Sequence, residues 1–97
     1  MSLSNRQKRY LRGLSHQLKP VVMIGEKGLS DTVRDEIETA LKHHELVKIR
    51  LRVPREVRRQ MIIDIERDNA AEKVHSIGQV ACFFRRNPEQ PKMVIPA

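Results

Sequence analysis

Apolar residues recur along the first stretch of the chain at helical intervals. Leu11, Leu14 and Leu18 fall on one stripe, and Ser4 with Gln7 has the spacing of a capping box, so a helix is expected over Ser4 to Leu18. Pro20 stops it. Val21-Val22-Met23-Ile24 is a short continuous apolar run, which predicts a central strand covered on both faces. Gly25-Glu26-Lys27-Gly28 then forms a tight polar loop. Ser30 is a good N-cap for a second helix, with Val33, Ile37 and Leu41 at four-residue intervals. Lys42, His43 and His44 close that helix at the end where its dipole favours cations.

From Leu46 to Val53 the period changes to two. Val47, Ile49, Leu51 and Val53 point one way and Lys48, Arg50 and Arg52 the other, which predicts a strand with one apolar and one cationic face. Strand, helix and strand in this order make a βαβ unit with a right-handed crossover. Pro54 opens a third helix whose stripe is Val57, Met61, Ile62 and Ile65, ending near Asp68 or Asn69. Lys73 to Ile77 and Val80 to Arg85 read as a hairpin around Gly78-Gln79. The order α-β-α-β-α-β-β predicts an α/β fold: a mixed four-stranded sheet with the helices packed on one face and Lys48, Arg50 and Arg52 on the other. Residues 1–86 are expected to be a single domain. Residues 87–97, with Pro88, Pro91 and Pro96, are expected to be an irregular tail in which Met93-Val94-Ile95 packs back as an edge.

Composition narrows the class. Ninety-seven residues hold one modest core, and 39% hydrophobic content supports a globular chain over a disordered one. Tyr10, Phe83 and Phe84 are the only aromatics, so the core must be aliphatic. Nineteen Lys and Arg against twelve Asp and Glu leave a formal charge of +7, a field that favours polyanionic partners. Cys82 is the lone cysteine; it can form no internal disulfide and suits a reducing compartment. No apolar run approaches the roughly 18 residues that span a membrane, and the N-terminus lacks the apolar core of a signal peptide. A cytoplasmic monomer with no membrane partner is expected.

Three features carry candidate chemistry. Glycines 25 and 28 precede a capped helix, where backbone N–H groups and the helix dipole favour a phosphate and Lys27 adds a mobile charge. The spacing is neither a Walker loop nor a dinucleotide fingerprint. A GxxG loop clamping a nucleotide backbone is the KH-type device, although the element order here differs from a KH domain. The second feature is the ladder Lys48, Arg50 and Arg52; the third is the basic cluster Arg6, Lys8, Arg9 and Arg12 on the first helix. Arg55, Arg58 and Arg59 have Glu56, Asp64 and Glu66 nearby in sequence and read as solvated. Enzymatic readings do poorly. His43 and His44 diverge by about 100° on a helix, Cys82 reads as a core residue, and Asp64 with Asp68 reads as an ion-paired helix face. No catalytic residue, metal site or cofactor is predicted.

The residues also resemble a known family. Val22-Met23-Ile24-Gly25-Glu26-Lys27-Gly28-Leu29-Ser30 resembles the GxxG segment of the CRM domain (chloroplast RNA splicing and ribosome maturation). His43-His44-Glu45-Leu46-Val47-Lys48-Ile49-Arg50 resembles its second signature, and Val74-His75-Ser76-Ile77-Gly78-Gln79-Val80, running on to Phe84-Arg85, its third. The likeness covers about residues 2–86, and a free-standing domain of this length is similar to the bacterial YhbY-type proteins. It implies RNA binding, association with precursors of the large ribosomal subunit, ribosomal RNA and neighbouring ribosomal proteins as partners, and a fold similar to the C-terminal domain of translation initiation factor three. By position it implies that Gly25 and Gly28 shape an RNA-facing loop and that Lys27 contacts phosphate, whereas Glu26 departs from an ideal anion site. Leu46, Ile77 and Gly78 match positions that look structural. Two other classes stay open: a non-enzymatic adaptor docking on an acidic protein surface, and a small nuclease or RNA-modifying enzyme whose turnover depends on Asp64 or Asp68.

Overall fold

Ser4 and Ser30 each stand where a helix begins, and the local chemistry explains why. In the computed structural model, which describes residues 2–97, the Ser4 side chain accepts the Gln7 N–H at 3.1 Å while Gln7 accepts the Ser4 N–H at 2.9 Å, completing the capping box of α1 (Asn5–Ser15). Met1, the first residue of the expected domain, lies outside the described residues. Ser30 accepts the Val33 N–H at 3.2 Å and starts α2 (Asp31–His44). Between these helices lies β1 (Val22–Ile24), and after them come β2 (Leu46–Leu51), α3 (Arg55–Asp68), β3 (Glu72–Ile77) and β4 (Val80–Phe84).

The four strands form one mixed sheet in the order β1-β2-β4-β3. β1 and β2 are parallel, joined through α2, and the other neighbours are antiparallel. β1 is therefore an edge strand, not the central one its apolar run predicts. Val22 and Ile24 are buried, but Met23 is 60% exposed on the other face. β2 ends at Leu51, before the expected Val53, although Val53 stays buried in the core.

Packing occurs on both sides of the sheet. The larger layer joins Val22, Ile24, Val47, Ile49, Leu51, Ala81 and Phe83 to Ile37 and Leu41 of α2 and Met61 and Ile65 of α3. Fully burying such an aliphatic side chain contributes about 1.5–3 kcal/mol. The expected placement of every helix on one face does not hold for α1. It crosses the opposite face, where Leu3 and Leu11 meet Leu46, Val74, Cys82 and Phe84. The cause lies in β4. Ala81 to Phe84 are four consecutive buried residues, so Phe83 enters one layer and Phe84 the other, and both faces need cover. The buried positions of α1 are Leu11 and Ser15, one turn apart, so Leu14 lies off the buried stripe, and Leu18 falls beyond the helix end; both stay at the surface, and the Ser15 hydroxyl donates to the Arg12 carbonyl at 2.7 Å. Val57 of α3 is likewise exposed. A register shift between Lys73 and His75 lets β3 bury Val74 in the α1 layer.

The tail after Asn87 forms no strand, but Met93 and Ile95 pack against the α1 layer. Glu45 holds it there. This residue, between α2 and β2, is 0% exposed. Its carboxylate accepts Arg86 Nη1 at 3.1 and 3.2 Å, the Asn87 N–H at 2.6 Å, the Lys92 N–H at 2.6 Å and the Met93 N–H at 3.2 Å. The Glu45 backbone has a positive φ of 60°, a conformation that costs a non-glycine residue about 1–3 kcal/mol. Burial on its own would raise the carboxyl pKa; the two short backbone N–H bonds and Arg86 outweigh it and hold the pKa below 4.5.

Glu45→Ala should leave Arg86 and three N–H groups without their acceptor and cost about 3 kcal/mol in urea unfolding. A carboxyl whose folded pKa lies below its unfolded value contributes stability that is fully present above about pH 4.5 and lost as pH falls through the folded value. Denaturation followed from pH 6 downward should therefore show a steeper acid loss for the native chain than for Glu45→Gln. Equal slopes would mean that the carboxylate is not what secures the tail.

Candidate nucleic-acid interface

Parallel strands end at the same edge of a sheet, and here that edge gathers the sequence motifs. Ile24 pairs with Leu51, and the next N–H on β2's chain, that of Arg52, donates to the Ile24 carbonyl at 2.8 Å. Arg52 therefore stands beside Gly25. Within the loop, the Gly28 N–H donates to the Gly25 carbonyl at 3.0 Å, closing a turn with Glu26 and Lys27 exposed at its tip. Gly28 has φ of +69° and lies over the α3 side chain Met61; Gly25 has open space around it and no such backbone requirement. Behind the loop stands the Ser30-capped start of α2. The β3–β4 turn joins the same edge, since the Leu51 N–H donates to the Gln79 carbonyl at 2.6 Å.

The ladder predicted on β2 lies on the sheet face that α1 only partly covers. In register, Met23, Arg50, Val80 and Ile77 form one row across all four strands. Lys48, Cys82 and His75 form part of the row below. Lys48 and Arg50 are half-buried, and Arg52 is exposed just beyond β2. The Arg50 Nε–H is buried and meets no acceptor in the protein. Ile77, expected to be structural, is 70% exposed at the end of its row, whereas Leu46 is buried as expected.

The α1 cations do not act as one cluster. Arg12 and His16 turn toward the sheet, where the His16 and His75 rings meet edge-on with centroids 6.2 Å apart. Burial, then Arg12, His16, Lys48 and Lys73, push the His75 pKa below its ordinary value, favouring the neutral ring in a setting rich in positive charge. Lys8 is paired with Glu72 at 3.4 Å. Arg6 and Arg9 line a separate depression with Tyr10 and the tail residues Val94 and Ile95. The sequence signal that would have tied His75 to Lys48 is the hairpin register, which a pattern of isolated histidines does not reveal.

Apart from Glu26 at the loop tip, several acidic groups are tied up in ion pairs elsewhere. Glu38 binds Arg85 at 2.6 Å, Glu45 binds Arg86, and Asp68 binds Arg34 and Arg67. Asp64 also binds Arg67, at 3.3 Å. Hydrogen bonding by Arg85 leads the effects that lower the Glu38 pKa. Among the described residues, no carboxylate pairs with Arg12, Lys27, Lys48, Arg50 or Arg52. Arg12, Lys27, Lys48, Arg50 and Arg52 thus lie on one sheet face and one edge, whereas Arg6 and Arg9 lie apart.

A small basic α/β domain with a glycine loop at the head of a capped helix is the class these features define. The chain belongs to the CRS1/YhbY (CRM) domain family, whose model matches residues 3–85. It is 42% identical over 96 residues to a protein of Haemophilus influenzae named as an RNA-binding protein, covering 98% of this chain and 96% of that one. A protein of Pseudomonas aeruginosa named as a probable RNA-binding protein is 37% identical, over 95% of this chain and 89% of its own length. The solution structure of a hypothetical Staphylococcus aureus protein, described as a candidate for RNA binding, superposes with a TM-score of 0.84 at 26% identity, covering 98% of this chain and 100% of the other.

The two loop glycines should differ on substitution. Gly28→Ala forces an L side chain into the left-handed region and should cost about 1–2 kcal/mol of stability. Gly25→Ala should stay within about 0.5 kcal/mol. Thermal melts of the two variants check this; equal losses would mean that the turn does not hold the described backbone.

Proposed function

We propose that this chain binds RNA through a continuous surface made of the Gly25–Gly28 loop, Lys48, Arg50, Arg52 and Arg12, and acts by binding, not by catalysis. The observation that carries the reading is the placement of Arg52 beside the loop, in line with Arg50, with no carboxylate paired to either among the described residues. Phosphate oxygens are the partners that unpaired guanidinium groups suit. The relatives named for RNA binding support the same reading. With Phe83 and Phe84 buried, Tyr10 is the one Phe, Tyr or Trp side chain at the surface among the described residues, so large stacking platforms are scarce and the contacts fall mainly on the RNA backbone. The resemblance to YhbY-type proteins extends the proposal to ribosomal RNA in precursors of the large subunit, bound by a cytoplasmic monomer. Cosedimentation with pre-large-subunit particles on a sucrose gradient tests that part, and migration only at the top of the gradient counts against it.

Changing Glu26 and Lys27 together to Asp keeps both glycines and puts negative charge where a phosphate is expected. RNA binding should weaken tenfold or more, about 1.4 kcal/mol, with little change in melting temperature. Unaltered affinity would reduce the loop to a turn.

Arg50→Ala should weaken many RNAs alike. Its salt titration slope should be shallower by about 0.7 for single-stranded RNA, and by up to about 0.9 for a duplex, because one phosphate contact is lost. A selective loss on one ribosomal RNA fragment would show instead that Arg50 reads a base or a particular RNA shape.

A further inference from the structure

The sequence places Arg55 and Arg59 among acidic neighbours, but the fold separates them. Glu56 makes no ion pair with them, Asp64 is held by Gln60 and Arg67, and Glu66 accepts the Lys73 N–H at 3.0 Å. Among the described residues, no carboxylate oxygen lies within 4 Å of the charged nitrogens of Arg55, Arg58, Arg59 or Lys73. These four cations and Glu66 line an open groove of about 690 Å³ between α3 and β3. Along α3, Arg55 and Arg59 are one turn apart, about 6 Å along the axis. Lys73 lies across from them on β3, and β3 has no strand on its outer side among the described residues. Ile63 and Ile77, 54% and 70% exposed, give the groove an apolar wall.

The groove is not isolated from the loop edge. Gly78 lies at its mouth, and Gln79 of the same turn is bonded to Leu51, the residue before Arg52. Arg52 is three residues before Arg55, so the loop edge leads directly into the start of α3. We propose that this groove is a second RNA-backbone site, in which Arg55, Arg59 and Lys73 hold phosphates while Ile63 and Ile77 contact ribose or a base. Arg58 has another role, since it donates to the Val53 carbonyl at 2.9 Å. The inference rests on the RNA reading above and adds the outer edge of β3 beside α3, which the ladder on β2 does not reach. An acidic protein would find the same charge. RNA is favoured because the groove continues from the proposed loop site and its apolar wall is flanked by cations on both sides.

The test is Arg55→Gln with Arg59→Gln, compared with the native chain and with the Asp-Asp loop variant. Fluorescence anisotropy would follow a labelled single-stranded oligouridine and a labelled RNA hairpin through a salt series. The groove variant should bind about tenfold more weakly near 0.1 M salt, with a slope shallower by about 1.4 on the single strand, the value for two lost contacts. Its melting temperature should match that of the native chain. If it does not, Lys73→Gln gives the same reading from the strand side, with a slope change of about 0.7. Native affinity and slope in the groove variants, alongside a weakened loop variant, would overturn the groove site and leave the loop reading standing. A weakened groove variant with an unaffected loop variant would support the groove and remove the loop. Unchanged binding in all of them would overturn both and leave the groove to a protein partner.

Discussion

The arrangement of this domain depends on the parallel pairing of β1 with β2. Parallel neighbours need a crossover, and α2 supplies it. The pairing has two consequences. It puts the residue after β1, Gly25, next to the continuation of β2 at Arg52, and it makes the loop that follows β1 the entrance to a helix. A hairpin connection would have placed the glycines at the opposite end of β2 from Arg52. The convergence of backbone donors and guanidinium groups is thus a result of strand direction before it is a result of any single side chain.

A second constraint comes from the thinness of the α1 layer. Leu3 and Leu11 are the buried residues that α1 and its lead-in bring to it, and the tail completes the cover with Met93 and Ile95. An irregular segment has no ladder of its own, so its N–H groups need other acceptors, and the Glu45 carboxylate serves three of them. The positive φ of Glu45 is the local cost of aiming that carboxylate at the tail. The same layer stops short of the Arg50 row, which leaves the cationic half of the face open.

Much of this was legible in the chain. Period-two alternation identified β2 and its three outward cations, the serine caps marked two helix starts, and the glycine pair marked the loop. The parts that escaped have physical reasons. A run of four apolar residues reads the same at a sheet edge as at its centre, so β1 looked central and Met23 looked buried. Leu14 and Leu18 fit a helical stripe, but the sequence does not say how much of a helix will find a surface to cover. Ala81 to Phe84, four consecutive apolar residues, carry the signal that both faces of the sheet are packed. Glu45 had a signal too: an acid directly after Lys42-His43-His44 sits at the helix end where the dipole disfavours it. For Arg55 and Arg59, nearness in sequence to acids was a poor guide, because Asp64 and Glu66 have other partners and Glu56 pairs with neither arginine.

Consecutive Arg85 and Arg86 diverge to opposite sides of the sheet, one to Glu38 and the Asn69 carbonyl, the other to Glu45 and the Met93 carbonyl. Beside them, β4 offers little to distinguish its two faces by hydrophobicity alone, with a phenylalanine directed into each layer. A strand of that kind can slip by one residue and still bury a ring on both sides. The two arginines remove that freedom. A one-residue slide would turn each guanidinium away from its own carboxylate and leave Glu45, which is 0% exposed, without Arg86. The pair acts as a key that admits β4 in a single alignment, so that discrimination between near-equivalent packings is assigned to charge where the apolar residues cannot supply it.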